Sequence, residues 1–509
     1  MDGKRRVALW LGAAALVTLL VRTGWAAEDA YISFRVVDNF LAGYGLTWNV
    51  VERVQVYTDP LYVFLLIAAT WITGSVYWAS VAVSLCLTMA AYFFLMDKRG
   101  VGAIAFGTAM LLSSKAFMDY SVSGMENPAT HLGIAVFCWA YWRKSGAPLL
   151  TFIAALTAVN RLDSILLLAP ALAVVYWRAS WRERWLGLLG LAPLVVWESF
   201  SLFYYGFPFP NTAYAKLNAA LDRGELMRQG WEYLLNGWHW DKLTAVVIVA
   251  GAAWGFRVGE WPLAVGIVAS VLYVMRVGGD YMAGRFLSPA FFLGCAILVR
   301  GMSHMRLSWK WAAAMTYGVL ALGLIALRPS LTTPSDFGVS RQFPQSMGIV
   351  DERAFYYEAT GVLRWKPNHR WPDFEWTDTG EAFRQAKLKA VPVLVAGTIP
   401  YKAGPGVYVL DIGALGDALL ARLPPQPGKN KPGHYYRTVP AGYMETVTTG
   451  ENHLRDPKIA EYYQHLSLVI RGPLWSIARM REIVALNTGR YDALLPKEDK
   501  NTKRIDRQQ

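Results

Sequence analysis

Cysteine is scarce in this chain. Cys86, Cys138 and Cys295 are its three thiols in 509 residues, and all lie within apolar runs. Neither a disulfide framework nor a cysteine-ligated zinc site is encoded, and the thiols read as packing residues. Charged residues are thin at 17%, against about 25% in a soluble domain. No HExxH, no P-loop, no GxGxxG following a strand and no Ser/His/Asp signature occurs, which argues against a protease or an ATP-driven pump. His131 and His239 stand too isolated for a metal site, and His304 belongs to a basic loop. No internal repeat stands out.

What the chain has in excess is apolar and aromatic. With 54% hydrophobic residues, 14% aromatics and a mean hydropathy of +0.25, it reads as a mostly α, polytopic membrane protein long enough for two domains. The net charge of +13 comes from basic residues in short loops between apolar runs. That pattern fits the positive-inside rule rather than a nucleic-acid surface, so a bilayer is expected as partner and nucleic acid is not.

Lys4-Arg5-Arg6, the run from Val7 to Val21 and Trp25-Ala26-Ala27 imitate a secretory signal. Many more apolar runs follow, so a retained first span is expected. The run from Leu61 to Thr73 has 13 residues, below the ~20 needed to cross, and reads as an interfacial or re-entrant helix. Counting it as a span would place Lys98-Arg99, Arg143-Lys144, Arg178, Arg182, Arg184, Arg300, Arg306 and Lys310 outside, against the positive-inside rule. About 11 transmembrane helices are therefore expected, near 7–25, 76–96, 101–118, 128–142, 147–159, 164–178, 185–204, 241–256, 261–276, 286–300 and 309–327. The N-terminus would be cytoplasmic. Trp78, Trp142, Trp177, Trp240 and Trp261 fall at run ends, as interfacial belts should.

After Arg328 the composition becomes that of a soluble protein. The expected domains are a membrane domain, 1–328, and an extracytoplasmic α/β cap, 329–509. AVPVLVA (390–396) and GVYVL (406–410) read as short strands, while Met444 to Leu495 reads as helical with turns at Gly450 and Gly472. The tail from Lys497 has the composition of a disordered segment. Trp371, Trp376 and Tyr408 suit either sugar stacking or a core, with the core favoured.

In this topology the polar loops gather on the outer face. They hold Glu28-Asp29, SGMEN (123–127), NRLD (160–163), the stretch from Pro208 to Asn218, and VGGDYMAGRF (277–286). Glycosyl transfer from an activated donor needs a carboxylate for the acceptor hydroxyl and cations for the leaving phosphate. Asp29 is the candidate catalytic carboxylate, with Glu28 as second choice; the bland alternative is that the pair merely keeps a helix end wet. Arg285 and Lys216 are candidate donor-phosphate contacts, against snorkelling to headgroups. Gly278-Gly279 lets the backbone turn tightly and approach a ligand. Arg161 and Asp163 read first as an ion pair. Arg35 either contacts substrate or balances Asp29, and Asn211 and Asp280 complete the supporting set. A carboxylate set also suits a divalent cation, a role Glu28 and Asp29 alone leave open. A lipid-sugar transporter would spread its polar residues through mid-membrane positions and repeat internally, and a scaffold would not need the Glu28-Asp29 loop.

EDAYISFRVVDNFLAGYGLTWN, YTDPLY, SGMENP, NRLD, YYGFPFPNTAYAK and VGGDYMAGRFLSP, with GIVDERAFYY, AGPGVYVLDIGALGD, VPAGYMETVTTGEN and RGPLWSIARMREIVALNTGRYD further on, give the chain a family resemblance. It resembles the GT-C superfamily of polyprenyl-phosphate-sugar glycosyltransferases, and within it the membrane arabinofuranosyltransferases of the mycobacterial terminal B branch. The resemblance runs along nearly the whole chain. It implies transfer of arabinofuranose from a decaprenyl-phosphate donor to an envelope glycan or surface glycoconjugate at the plasma membrane, with mannose or aminoarabinose as the alternative sugar. It carries the catalytic acid onto Asp29 and phosphate contacts onto Lys216 and Arg285. Glu28 stands where the family often has a second Asp.

Overall fold

The computed structural model describes residues 3–217, 223–305, 308–333, 345–346, 348–366, 370–426 and 435–496; Asn218, Arg306 and the tail from Lys497 lie outside them. The described chain is mostly helical, with two short two-stranded pairings. It divides into two compact units that interleave in sequence. The first comprises Met1–Ala27, Asp59–Leu194 and Arg223–Pro372; the second comprises Glu28–Thr58, Val195–Asp222 and Asp373–Gln509. The boundary read at Arg328 falls inside the first unit, and the Glu28 loop belongs with the C-terminal region.

In the first unit the apolar runs become helices, several opened by a proline in the first turn, where its missing N–H costs nothing. Asn127–Trp142, Ala147–Asn160, Trp261–Arg276 and Ser288–His304 begin this way. One close crossing pairs Lys242–Arg257 with Ser288–His304. A Cβ on Gly251 would come within 2.5 Å of the Gly294 Cα, so small residues there let the two backbones touch. Pro60–Thr73 is a separate 14-residue helix ended by Gly74 in the left-handed region. It is fastened to Val76–Leu95 by a 2.9 Å bond between the Tyr62 and Ser84 hydroxyls.

Among the described residues, three helices are long and apolar enough to cross a membrane: Gly3–Thr23, Val76–Leu95 and Arg285–His304; counting each of two bent pairs as one span raises the number to five. The run 101–118 is not one straight helix, as its composition suggested. It breaks by 74° between Val101–Ser113 and Lys115–Ser121, because Ser114 turns extended and its hydroxyl accepts the Phe117 amide, starting a new helix. Trp181–Leu189 and Ala192–Tyr204 form the other pair, bent by 41°.

The second unit joins Ala30–Leu41 to a set of short elements. Ala390–Val393 pairs in parallel with Tyr408–Asp411, in register from Ala390 against Tyr408 to Val393 against Asp411. These are the two strands read from the sequence, the first trimmed to its N-terminal four residues and the second starting two residues later and ending one later, at Asp411. Tyr443–Thr449, Pro457–Arg471 and Ile477–Asn487 follow. Gly450 caps the first of them in the left-handed region, and Gly472 ends the second.

Candidate functional site

In the second unit Glu28 and Asp29 stand at the head of Ala30–Leu41. Neighbours in sequence, they are used differently. Asp29 takes the N-cap position with helical backbone angles, so its side chain makes no capping bond to its own helix, and it remains half-buried. Glu28 is buried and its Oε1 accepts the Gly397 amide at 2.6 Å and the Thr398 amide at 2.7 Å. Any side chain at Gly397 would collide with Glu28. Burial, and then the adjacent Asp29 carboxylate, push Glu28 up to about 8 despite those two amides. Glu28 is thus a holding group for the 397–398 turn, while Asp29 is the member of the pair with solvent access.

Arg35, two turns along the same helix, neither balances Asp29 nor reaches outward. Its guanidinium is buried and donates to the carbonyls of Trp48 at 2.6 Å, Val407 at 3.1 Å and Pro400. Burial lowers it to about 9. The rigid planar fork clamps three loop carbonyls at once, which lysine could not do. Asn211 has a comparable task. Its buried amide donates at 3.0 Å to the carbonyls of Ala414, Leu415 and Asp417, fixing the start of Asn211–Leu217. Lys216, at the other end of this short helix, is exposed.

Sequence reasoning passed over a second acidic set in this unit. Asp417 accepts the Tyr443 hydroxyl at 2.9 Å. Glu52 accepts Tyr408 at 3.0 Å and pairs with Arg471 at 3.3 Å. Burial and Glu52 raise Asp417 to about 7. Tyr408 is therefore a buried core residue with a polar tip, not a sugar platform. Asp417 closes AGPGVYVLDIGALGD and Glu52 lies far from it in sequence, so no spacing rule joins them.

In the first unit the structure brings together Arg161, Asp163, Asp280 and Arg285 around Glu126 of the SGMEN loop, to which the sequence assigned no role. Arg161 is ion-paired with Glu126 and, through Nε, with Asp163 at 2.9 Å. Arg285 reaches Glu126 at 3.1 Å and Asp280 at 3.6 Å. Asn160 anchors the corner by donating to the Glu126 carbonyl at 3.1 Å. Burial alone would raise Glu126, but Arg285 and Arg161 overcome it and hold the carboxyl down at about 2. The ion pair read from the Arg161/Asp163 spacing is present, and Arg285 is buried against carboxylates rather than snorkelling. Gly278 and Gly279 both lie in the left-handed region, as a tight turn requires. What approaches them is protein: a Cβ on Gly279 would meet the Tyr233 side chain at 2.5 Å, and Tyr233 also donates to the Met282 carbonyl at 3.0 Å.

A further buried charge group occupies this unit. Lys115 bonds Asp119 at 2.6 Å and Asp351 at 3.3 Å, Arg353 pairs with Asp119 at 2.7 Å, and Trp240 donates to Asp351 at 3.0 Å. The acid and base of GIVDERAFYY are used here. His131 is buried, with Nε2 2.8 Å from the Ser288 hydroxyl, and Trp371 packs on Tyr77 and Trp78. Among the described residues no group of three or more His, Cys, Asp or Glu is gathered as a metal ion would need.

No protein-family model matches the chain. Among curated proteins it is similar to a terminal β-(1→2)-arabinofuranosyltransferase of Mycobacterium tuberculosis, 28% identical over 431 residues, covering 70% of this chain and 66% of that protein. It is also similar to a terminal β-(1→2)-arabinofuranosyltransferase of Corynebacterium glutamicum, 28% identical over 410 residues, covering 66% of this chain and 56% of that protein. The chain thus matches slightly under two thirds of the length of the first relative and just over half of the second. A solved structure, the arabinosyltransferase EmbB of Mycobacterium smegmatis, aligns over 59% of this chain and 31% of its own, with 15% identity and a TM-score of 0.40.

Proposed function

We propose that this chain is a multispanning membrane glycosyltransferase that moves arabinofuranose from a decaprenyl-phosphate-linked donor to a cell-envelope glycan or surface glycoconjugate. The observation that carries the reading is its similarity, along 431 residues, to an arabinofuranosyltransferase. The chemistry of the acid pair is consistent with it. Glu28 is committed to backbone amides, and Asp29 beside it keeps solvent access. In the transfer, Asp29 accepts the proton of the acceptor hydroxyl as the new glycosidic C–O bond forms. The bond between the sugar carbon and the phosphate oxygen breaks, and decaprenyl phosphate leaves with the electron pair. Lys216, exposed in the same unit as Asp29, is the proposed donor-phosphate contact, a cation able to stabilise the leaving group; Arg285 is paired within the other unit with Glu126 and Asp280.

The same reading places the protein in the plasma membrane with a cytoplasmic N-terminus. The eleven apolar runs cross, Pro60–Thr73 lies at the interface, and the C-terminal region is extracytoplasmic. Helices of 14 to 16 residues rise only about 21–24 Å, less than the ~30 Å hydrocarbon layer. Those crossings therefore need flanking loop residues to complete them.

The test is direct. Purified protein is incubated with radiolabelled decaprenyl-phosphoarabinofuranose or its mannose counterpart and an arabinan acceptor. Transfer from the arabinose donor alone is expected. Transfer from the mannose donor instead would replace the donor assignment, and transfer from neither would overturn the reading.

A further inference from the structure

The second unit carries an apolar, basic face that the transfer chemistry does not use. Ile477–Asn487 is an 11-residue helix in which Ile477 and Val484 are 72% and 62% exposed, and Trp475 just before it is 85% exposed. A shallow groove of about 540 Å³ runs along it, lined by Ile477, Met480, Arg481, Val484, Thr488 and Arg490, with no carboxylate on its walls. The one acid of the helix, Glu482, is turned away to His465 at 3.1 Å. The groove is therefore hydrophobic with cations and no anions on its walls, Asp492 lying beyond its Arg490 end, a composition that suits the headgroup layer of an anionic membrane.

Its position supplies the occupant. The apolar helix Ala192–Tyr204 also exposes Val195 and Val196, at 57% and 68%, and it ends at Phe203 and Tyr204, whose carbonyls have no further helical turn to bond. Fully buried Arg479 closes that end by donating to the Phe203 carbonyl at 2.8 Å and the Tyr204 carbonyl at 2.9 Å, while its Nε donates to Val469 at 2.8 Å. The Trp475 ring lies 4.8 Å from that of Phe203. A guanidinium and an aromatic contact thus fasten the turn at 472–476 to the terminus of an apolar helix. Where such a helix leaves a bilayer is the zone that exposed tryptophan occupies on either face, and arginine can anchor there as well.

We infer that Trp475 and the exposed face of Ile477–Asn487 dock on the outer headgroup layer beside the end of Ala192–Tyr204, with Arg481 and Arg490 on anionic lipid phosphates. The inference rests on the membrane reading above. The full-length protein carrying Cys86→Ser is labelled with a nitroxide at Ile477→Cys, Val484→Cys, Val196→Cys or, as a solvent reference, the exposed Thr448→Cys. It is reconstituted in phosphatidylglycerol-containing or purely zwitterionic vesicles, and collision with oxygen and with a water-soluble nickel chelate is measured. Labels at 477 and 484 are expected to be shielded from nickel relative to 448 and to show headgroup depth in the anionic vesicles. Arg481→Gln with Arg490→Gln is expected to lower the docked-to-undocked ratio about 25-fold, at about fivefold for each arginine near an anionic surface. A Val196 label buried in lipid, with 477 and 484 as open to nickel as 448, overturns the docking and leaves the membrane reading intact. A Val196 label open to nickel overturns both. Shielding at 477 and 484 that is lost when the protein is diluted in the same vesicles assigns the face to a protein contact such as a second copy and also overturns it.

Discussion

Replacing Glu126 by glutamine removes the buried carboxylate at the centre of a set of five charges, and the structure gives the cost by two routes. The carboxylate is 2% exposed and pairs with both Arg161 and Arg285. Its carboxyl is held at about 2 against an ordinary 4.5, and that difference of about 2.5 units corresponds to about 3 kcal/mol at neutral pH. Breaking a buried ion pair by deleting one partner costs about 3–5 kcal/mol, because the remaining charge is left uncompensated. The two values agree. A folded pKa below the unfolded one means that this stabilisation is complete above 4.5 and is lost as pH falls towards 2. Purified protein in detergent, unfolded by heat and followed by intrinsic fluorescence, should melt on the order of 5 °C lower as Glu126→Gln at pH 7. The gap to wild type should narrow by about half as pH is lowered from 5 to 3. A double-mutant cycle with Arg161→Gln should show the two losses to be strongly non-additive. A loss below about 1 kcal/mol at pH 7, within the range of an exposed pair, would refute the reasoning, as would additive losses.

Glu28→Gln should do the opposite. With a folded value near 8 against 4.5 unfolded, wild type loses stability as pH rises from 5 to 8; the glutamine Oε1 still accepts the Gly397 and Thr398 amides, so the variant should be flat over that window and more stable than wild type at pH 8.5 in a thermal scan. Arg35→Lys should destabilise by about 3 kcal/mol, since one ammonium cannot serve three carbonyls whose bonds to a charged donor are worth about 1.5–3 kcal/mol each, and limited proteolysis should cut the second unit faster. Lys216→Ala, at an exposed position, should leave the melting temperature unchanged within 1 °C while raising KM for the lipid donor, as read from initial transfer rates.

How much of this was legible in the sequence depends on the kind of signal. Periodic apolar runs specify helices locally, so their existence and the short strands at 390 and 408 could be read directly. The break at Ser114 could not, because an N-cap serine between apolar residues looks the same as a serine inside a helix until Phe117 turns to it. Division into units was hidden for a different reason. The Glu28 loop and the segment 195–222 join the C-terminal region through contacts such as Glu28 with Gly397 and Asn211 with Ala414, which lie hundreds of residues apart. Among the site residues, Arg161 and Asp163 were legible because they are two positions apart. Glu126 was not, since its partners come from other loops, and Arg35 looked like a candidate ligand because nothing in the sequence shows that its donors go to backbone carbonyls.

The central claim is that Asp29 is the carboxylate that serves the acceptor hydroxyl in an arabinosyl transfer. It is tested most directly by measuring radiolabelled arabinose incorporation from decaprenyl-phosphoarabinofuranose by wild type and Asp29→Asn, reconstituted at equal density with matched melting temperatures. Loss of an aligned general base lowers a rate by about 10²–10⁴-fold, so the asparagine protein should fall at least a hundredfold in kcat with little change in donor KM. Transfer within a few-fold of wild type would contradict the account.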